Sequence, residues 1–324
     1  MSFYEAAYMN SEIHKPSIYA KASLDMGEIQ EKIRCGCDAI ELNLEADFLL
    51  YGNDFLGHYG SEIFAAKDIR VVHVPFNQDG EMLNLEWIFG HRDISVLRDV
   101  FSLAQYCGDK WGHDVTVVVH FCMAMYDFMQ YELLQERIVE NLKALFHQYP
   151  RVELAVENGV PLELGKAGQF IPRLCNGNYR DTSEIVRWLR ERLGDRVGSV
   201  LDTCHAMMTE KYMKTLLRAA DIAEMYPVQV VNDINMEHFF QMNQEICKLI
   251  HFNNLYGNGY RENHGVPFEK FDEVTGLLAL YEKYRYQCPL TLEIREEDYL
   301  DCKNYRKTMR LIEEAFAVAG VQKR

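Results

Sequence analysis

Short runs rich in β-branched residues alternate with stretches of helical period along the whole chain, the pattern of a parallel sheet with crossover helices. Eight runs carry the strand signal: Ser17–Ala22, Ala39–Leu44, Ile69–Val74, Val115–Phe121, Val152–Glu157, Gly198–Asp202, Leu249–Asn253 and Leu290–Ile294. Between them lie amphipathic stretches. Leu133–Gln148 has apolar residues at 134, 138, 142 and 145, and Ser183–Arg192 is preceded by a Thr-Ser pair that reads as a helix cap. Eight strands in such a series predict an α/β fold, a closed (β/α)8 TIM barrel.

No Pro- or Gly-rich linker, low-complexity tract or internal repeat divides the chain, so a single barrel domain is expected over residues 1–324. Three segments after strands are longer than barrel loops require: Phe76–Ile94, Cys122–Tyr131 and Asn158–Asp181. Long loops of this kind sit at the C-terminal face, where barrels keep their active sites. The Met and aromatic residues of the second either wall a pocket or form a satellite cluster under the loop.

Composition narrows the classes. The 324 residues are 48% hydrophobic and 26% charged, which excludes disordered and collagenous chains. With 34 Lys+Arg against 49 Asp+Glu the formal charge is −15, and no basic arm offers itself to phosphates, so nucleic acid is disfavoured as a partner. No apolar run is long enough to span a membrane and the first residues lack a leader pattern; a cytoplasmic location is expected. The nine cysteines are scattered and read as reduced core residues; Cys35 and Cys37 are too close for an ordinary bridge and misplaced for a zinc knuckle.

Candidate chemistry gathers at strand ends. His73 lies near the end of the third run and His120 near the end of the fourth; Glu157 closes the fifth and Asp202 the sixth, with His205 three residues on. His251 lies in the seventh run, Glu262 and His264 follow it, and Glu293 sits in the eighth. A barrel brings all of these to one face. Carboxylates within LAVENG, SVLDTCH and LTLEIR are costly to bury unless paired or coordinated, and no strand-end Lys or Arg offers an obvious partner. A divalent cation resolves that conflict. Taken singly each residue has a plainer use: a hydrogen-bonded core histidine for His73, a helix N-cap for Asp202, a turn flank for Glu157. His14, His58, His91, His113, His147 and His238 fall in loops or on helix faces and read as solvated or structural.

The series VHVPF, VVVHF, AVENG, LDTCH, LIHFNN, ENHGVPF and TLEIR resembles, in order and spacing, the xylose-isomerase-like TIM-barrel superfamily, which includes sugar and sugar-phosphate isomerases and epimerases and the endonuclease IV branch of abasic-site nucleases (AP endonuclease family 2). The likeness runs from about the third strand to the eighth. In the isomerase branch it implies one Zn, Mn, Mg or Co ion on Glu157, Asp202, His251 and Glu293, with His205 near the substrate and His73 and His120 available as further substrate contacts. In the nuclease branch it implies two additional zinc ions, one on His73, His120 and shared Glu157, the other on His205, His264 and an acidic residue. That last position matches Glu262, where the family has Asp, one methylene shorter. HFNN also replaces the family's usual His-Leu-x-Asp, which removes a carboxylate that would orient the ligands.

Two chemistries follow. A cation holding adjacent sugar oxygens acidifies the intervening C–H, with Glu157 and Glu293 as the base and acid pair of an isomerase or epimerase passing through an enediolate. A hydrolase instead uses several cations to drive in-line attack on a phosphodiester, which His73 and His120 favour. The acidic chain weighs toward the isomerase; a zinc phosphodiesterase is the alternative, and a sugar-binding barrel without turnover is the third reading. The expected partner is a small sugar or sugar phosphate, with no nucleotide cofactor, no membrane contact, and self-association into a homo-oligomer left open.

Overall fold

The computed structural model describes residues 15–78, 81–91, 94–123, 125–159, 162–164, 170–172, 179–216, 234–255 and 264–318. Eight parallel strands run β1 Ile18–Ala22, β2 Ala39–Asn43, β3 Ile69–His73, β4 Val115–His120, β5 Val152–Glu157, β6 Val197–Asp202, β7 Cys247–His251 and β8 Leu290–Leu292. Each pairs with the next in sequence and β8 pairs back onto β1, closing a (β/α)8 TIM barrel. All eight runs expected from the sequence are strands. The seventh begins two residues earlier than its pattern suggests, and the eighth stops at Leu292, so Glu293 stands just beyond the strand rather than in it.

The long helices of the outer ring are α1 Met26–Arg34, α2 Ser95–Trp111, α3 Glu132–Gln148, α4 Tyr179–Leu193, α5 Thr203–Leu216, α6 Met236–Asn243, α7 Phe271–Lys283 and α8 Lys303–Val318. α1 starts where the Asp25 side chain accepts the backbone N–H of Glu28 at 2.8 Å, an N-cap that satisfies one of the helix's free donors. α4 begins four residues before the expected cap. Ser183 lies inside it and donates its hydroxyl back to the Arg180 carbonyl at 2.9 Å, so the Thr-Ser pair does not cap the helix. After β2 the connection is built from short segments, Phe48–Tyr51, Phe55–Tyr59 and Ile63–Ala65. Among the described residues no helix is long and apolar enough to cross a membrane.

The strands are buried on both faces. Outward residues such as Ile40, Leu42, Val72, Val117, Val119, Leu154, Val156, Leu201 and Ile250 pack against Val100, Ala104, Ile138, Leu142, Ile185, Leu189 and Ile312 of the helices. Inward, Val71, Val118, Ala155, Val200 and Leu249 form a separate apolar plug with Tyr19 against it. Because side chains alternate along a strand, the next inward position on each of these strands lies two residues later. Those positions are Lys21, His73, His120, Glu157, Asp202 and His251. The polar mouth is therefore the upper inward layer of the barrel.

The loop over that mouth following β3 carries a two-stranded ribbon, Asn77–Gln78 with Glu81–Met82, and the helix Leu85–Gly90. In the loop following β4, Phe128 is buried edge-on against Phe121 and Trp188 while Tyr126, Met129 and Tyr131 are exposed. This is the satellite cluster rather than a pocket wall. Most of 158–181 lies outside the described residues, as do His14 and Glu262. Cys35, Cys37, Cys107, Cys204, Cys247, Cys288 and Cys302 form no disulfide among the described residues.

Candidate metal centre

Glu157 is the hub. It ends β5, directly beside His120 in register, and is 2% exposed. His73 Nε2 lies 3.0 Å and His120 Nε2 3.7 Å from its Oε2; His205 Nδ1 and His251 Nδ1 lie 3.4 and 3.3 Å from its Oε1. Asp202 ends β6 beside His251. Its Oδ1 accepts the backbone N–H of His205 at 2.7 Å, the N-cap role that Asp-x-x-His allows, while its Oδ2 faces His264 at 3.6 Å and His251 at 3.8 Å. One carboxylate thus both starts a helix and enters the site.

Neighbouring asparagines fix the Asp202 backbone and one oxygen of its carboxylate. Asn158 accepts the Asp202 backbone N–H at 2.7 Å and donates to the Asp202 carbonyl at 3.1 Å, and its own carbonyl takes His205 Nδ1–H at 2.7 Å. Asn253 donates to Asp202 Oδ2 at 2.9 Å while its side-chain oxygen accepts the Cys204 N–H and the Thr203 hydroxyl. Hence the two asparagines of VENG and HFNN stitch β5, β6 and β7 together. His264 arrives on a ribbon, Asn254–Leu255 with His264–Val266. The next residue, Gly265, has φ +72° and a Cβ there would stand 3.0 Å from the Glu293 carbonyl, so glycine lets the ribbon lie against the end of β8.

Three ligand-competent groups emerge among the described residues: His73, His120 and Glu157; Asp202, His205 and His264; Glu157, Asp202, His251 and Glu293, with the donor atoms of each within 4.8 Å of one another. Every described site residue expected from the sequence therefore reaches one mouth. Glu262 falls outside the described residues.

Two residues at the mouth were not foreseen. Lys21, on β1, places Nζ 3.0 Å from Glu293 Oε2 and 3.5 Å from Glu41 Oε1. This corrects the expectation that no strand-end cation partners the carboxylates: a single Lys in SIYAKA reads as a solvent-facing residue, but both faces of β1 are covered. Glu41 on β2, fully buried, accepts His251 Nε2 at 3.1 Å. It supplies from β2 the orienting carboxylate that HFNN lacks, and it leaves the His251 Nδ1 turned toward Glu157 and Glu293. The only hint in the sequence was one acid inside the apolar run AIELN.

The donor set fits a cation. His73 gives its Nδ1–H to the Val74 carbonyl at 2.8 Å, which fixes the ring with Nε2 3.0 Å from Glu157 Oε2. His251 Nδ1 and His264 Nε2 are buried with no hydrogen-bond partner among the described residues.

The fields agree. Burial raises the carboxyl pKa of Glu157, but His251 and His120, with hydrogen bonds from His251 and His73, outweigh it and hold the group well below the usual range. At Asp202 burial likewise opposes, but the neighbouring His205, with the hydrogen bond and field of His264, overcomes it and the group is lowered. His251 is raised well above its ordinary value: burial lowers it, and Glu41 and then Glu157 win. Burial, helped by the charges of His73 and His205, pushes His120 down to about 3, so its ring stays neutral and keeps a lone pair. The ionised carboxylates and the neutral His120 ring are forms that bind divalent cations, whereas the raised His251 would give up its proton to a cation bound at Nδ1.

No family model matches the sequence, and no curated protein matches it. Among solved structures the chain is similar to SacUVDE (14% identity, TM-score 0.47, 90% of this chain and 86% of that one). It is also similar to protein SMc04130 from Sinorhizobium meliloti 1021 (14%, 0.46, 91% and 96%) and to a psychrophilic glycoside hydrolase family 10 endo-beta-1,4-xylanase (10%, 0.32, 82% and 90%). The functional argument rests on the mouth's own side chains, which form a site suited to a metal-dependent enzyme.

Proposed function

We propose that the mouth of this barrel is a multinuclear divalent-cation site that hydrolyses small phosphate esters. The observation that carries the reading is the sharing of carboxylates: Glu157 belongs to two ligand groups and Asp202 to two, so the three groups form one connected frame. Divalent cations held there supply Lewis acidity toward a phosphoryl oxygen and its leaving group. Glu157 and Asp202 are the carboxylates joining the groups; Asn253 holds Asp202 Oδ2, and Asn158 anchors the Asp202 backbone beside it. His73 and His120 on one flank, and His205 and His264 on the other, complete the frame. His120, His205 and His264 are partly exposed and face incoming substrate. A chain of −15 net charge repels a polyanion, which favours a small ester over duplex DNA.

The second reading is the sugar or sugar-phosphate isomerase or epimerase. It is favoured by the convergence of Glu157 and Glu293 on His251 Nδ1, at 3.3 and 3.2 Å, from opposite walls of the mouth. Both carboxyls are held ionised, which suits a ligand or a base and works against an acid. A one-cation isomerase also leaves the two flanking groups without a ligand role. Metal analysis of untreated protein separates the readings: two or three ions with hydrolysis of p-nitrophenyl phosphate or its bis ester supports the hydrolase. A single ion with solvent deuterium entering a ketose sinks it. A metal-free protein that binds sugar without turnover selects the third class.

A further inference from the structure

Lys21 has no part in either chemistry above, yet it sits at the centre of the mouth's β1 wall. Its side chain is only 12% exposed, and Glu293 and Glu41 both hold its ammonium. Register places it directly beside Glu41 across the β1–β2 pair. An ammonium has three N–H donors, and these two carboxylates take two directions. The same residue lines a cavity of about 520 Å³ between the ends of β1, β2 and β8, with Ser23, Asn43, His264 and Glu293 around it and Arg295 in its wall.

The carboxylates around that cavity are not equivalent. Asp25 caps α1, and Glu28 accepts both the backbone N–H and the hydroxyl of Ser23, so both serve the α1 end of the wall. Glu45 and Asp298 are exposed at the outside. The cavity thus sets the Lys21 ammonium at its deep end, beside the candidate metal ligands Glu293 and His264, and is acidic toward solvent.

We infer that Lys21 is a substrate-binding residue: its third N–H donates to a phosphoryl oxygen of a phosphate ester whose uncharged or cationic organic part occupies the outer cavity. This rests on the phosphoester reading of the mouth. A purely structural counter-ion to Glu41 and Glu293 would need no face on the cavity, whereas Lys21 shares that face with two candidate ligands. Polyanions are excluded by the outer carboxylates, which repel a second phosphate.

The test uses metal-loaded protein with inorganic phosphate as the probe, followed by titration calorimetry, with metal content measured on the same samples. Wild type is expected to bind phosphate. Lys21→Met should weaken that binding at least tenfold at unchanged metal content, Lys21→Arg should recover part of it, and ethylammonium should partly restore p-nitrophenyl phosphate turnover to Lys21→Ala. Equal phosphate affinity in wild type and Lys21→Met overturns the role of Lys21 and leaves the phosphoester reading standing. Loss of metal together with phosphate binding in Lys21→Met assigns the residue to charge compensation and also overturns it. Failure of metal-loaded wild type to bind phosphate or cleave the ester overturns the reading itself, and Lys21's assignment with it.

Discussion

Two inward layers of the same strands, one step of the pleat apart, behave as different materials. The lower one, Val71, Val118, Ala155, Val200 and Leu249 with Tyr19 against it, is a dry plug. The upper one, reached two residues later on each strand, is Lys21, His73, His120, Glu157, Asp202 and His251. Both are largely buried: Asp202 and His251 are fully buried and Leu249 is 1% exposed, and only Lys21 and His120 of the upper layer open partly to solvent. Burial is common to both, so it does not set the chemistry. The difference lies in what satisfies the buried groups. The plug needs only contact, whereas the upper layer needs charge compensation that Lys21 alone cannot deliver to Glu41, Glu157, Asp202 and Glu293. The plug also gives the upper layer a rigid floor, which keeps ligand atoms from collapsing inward.

The largest expected effect comes from the hub of the upper layer. Glu157→Gln retains volume but removes a charge shared by two ligand groups, so turnover should fall by about 10³-fold or more. Bound metal should drop by more than one ion per chain, with circular dichroism unchanged. Glu293→Gln touches one group only and should lose a single ion. Equal losses for the two variants would end the shared-carboxylate frame.

Next in size is a change in the plug. Leu249→Ala should cost about 2–5 kcal/mol of stability by urea unfolding, while metal content of the folded protein is retained. If metal is lost in parallel with stability, the two layers are one energetic unit and the contrast fails.

Much of this was legible in the sequence, and the exceptions have a common cause. Strand runs such as VTVVVH and the candidate ligands at their ends are legible because apolar runs closed by His, Glu or Asp recur along the chain. Lys21 and Glu41 escaped because a single polar residue inside a run gives no sign of which way it points when both strand faces are buried. His251's partner was sought nearby at HFNN and stands instead on β2, 210 residues away. The helix start at α4 was misplaced because Ser183 bonds back to its own turn instead of capping.

Glu41→Gln examines the partner that sequence reasoning missed. It keeps a side-chain oxygen but can turn an N–H toward His251, releasing that ring from its fixed orientation. Metal affinity should weaken about 10–100-fold, measured by competition with a chromophoric chelator, with Lys21 still paired to Glu293. An unchanged affinity would show that the His251 ring is held by packing alone.

The smallest effect concerns Asp181, a partly exposed carboxylate in the first turn of α4 whose titration no imidazole opposes. Burial pushes Asp181 up to about 6, against the hydrogen bond it accepts from the Met125 N–H, the reverse of Glu157. The linkage signs are opposite as well. Asp181's raised pKa contributes stability that is complete below about 3.8 and is lost as pH rises through about 6. The lowered Glu157 contributes stability present above about 4.5 and lost as pH falls through its depressed value. Asp181→Asn, whose amide oxygen can still accept the Met125 N–H, removes only the first of these. Relative to wild type, the variant's stability should therefore climb between pH ~4 and ~6 and level off above, by on the order of 1 kcal/mol after allowing for partial exposure. Urea unfolding of metal-free protein across pH 4 to 8 measures it. A difference that stays flat over that range would mean that Asp181 is ionised throughout, and that burial without an opposing cluster does not separate the carboxylates of this chain.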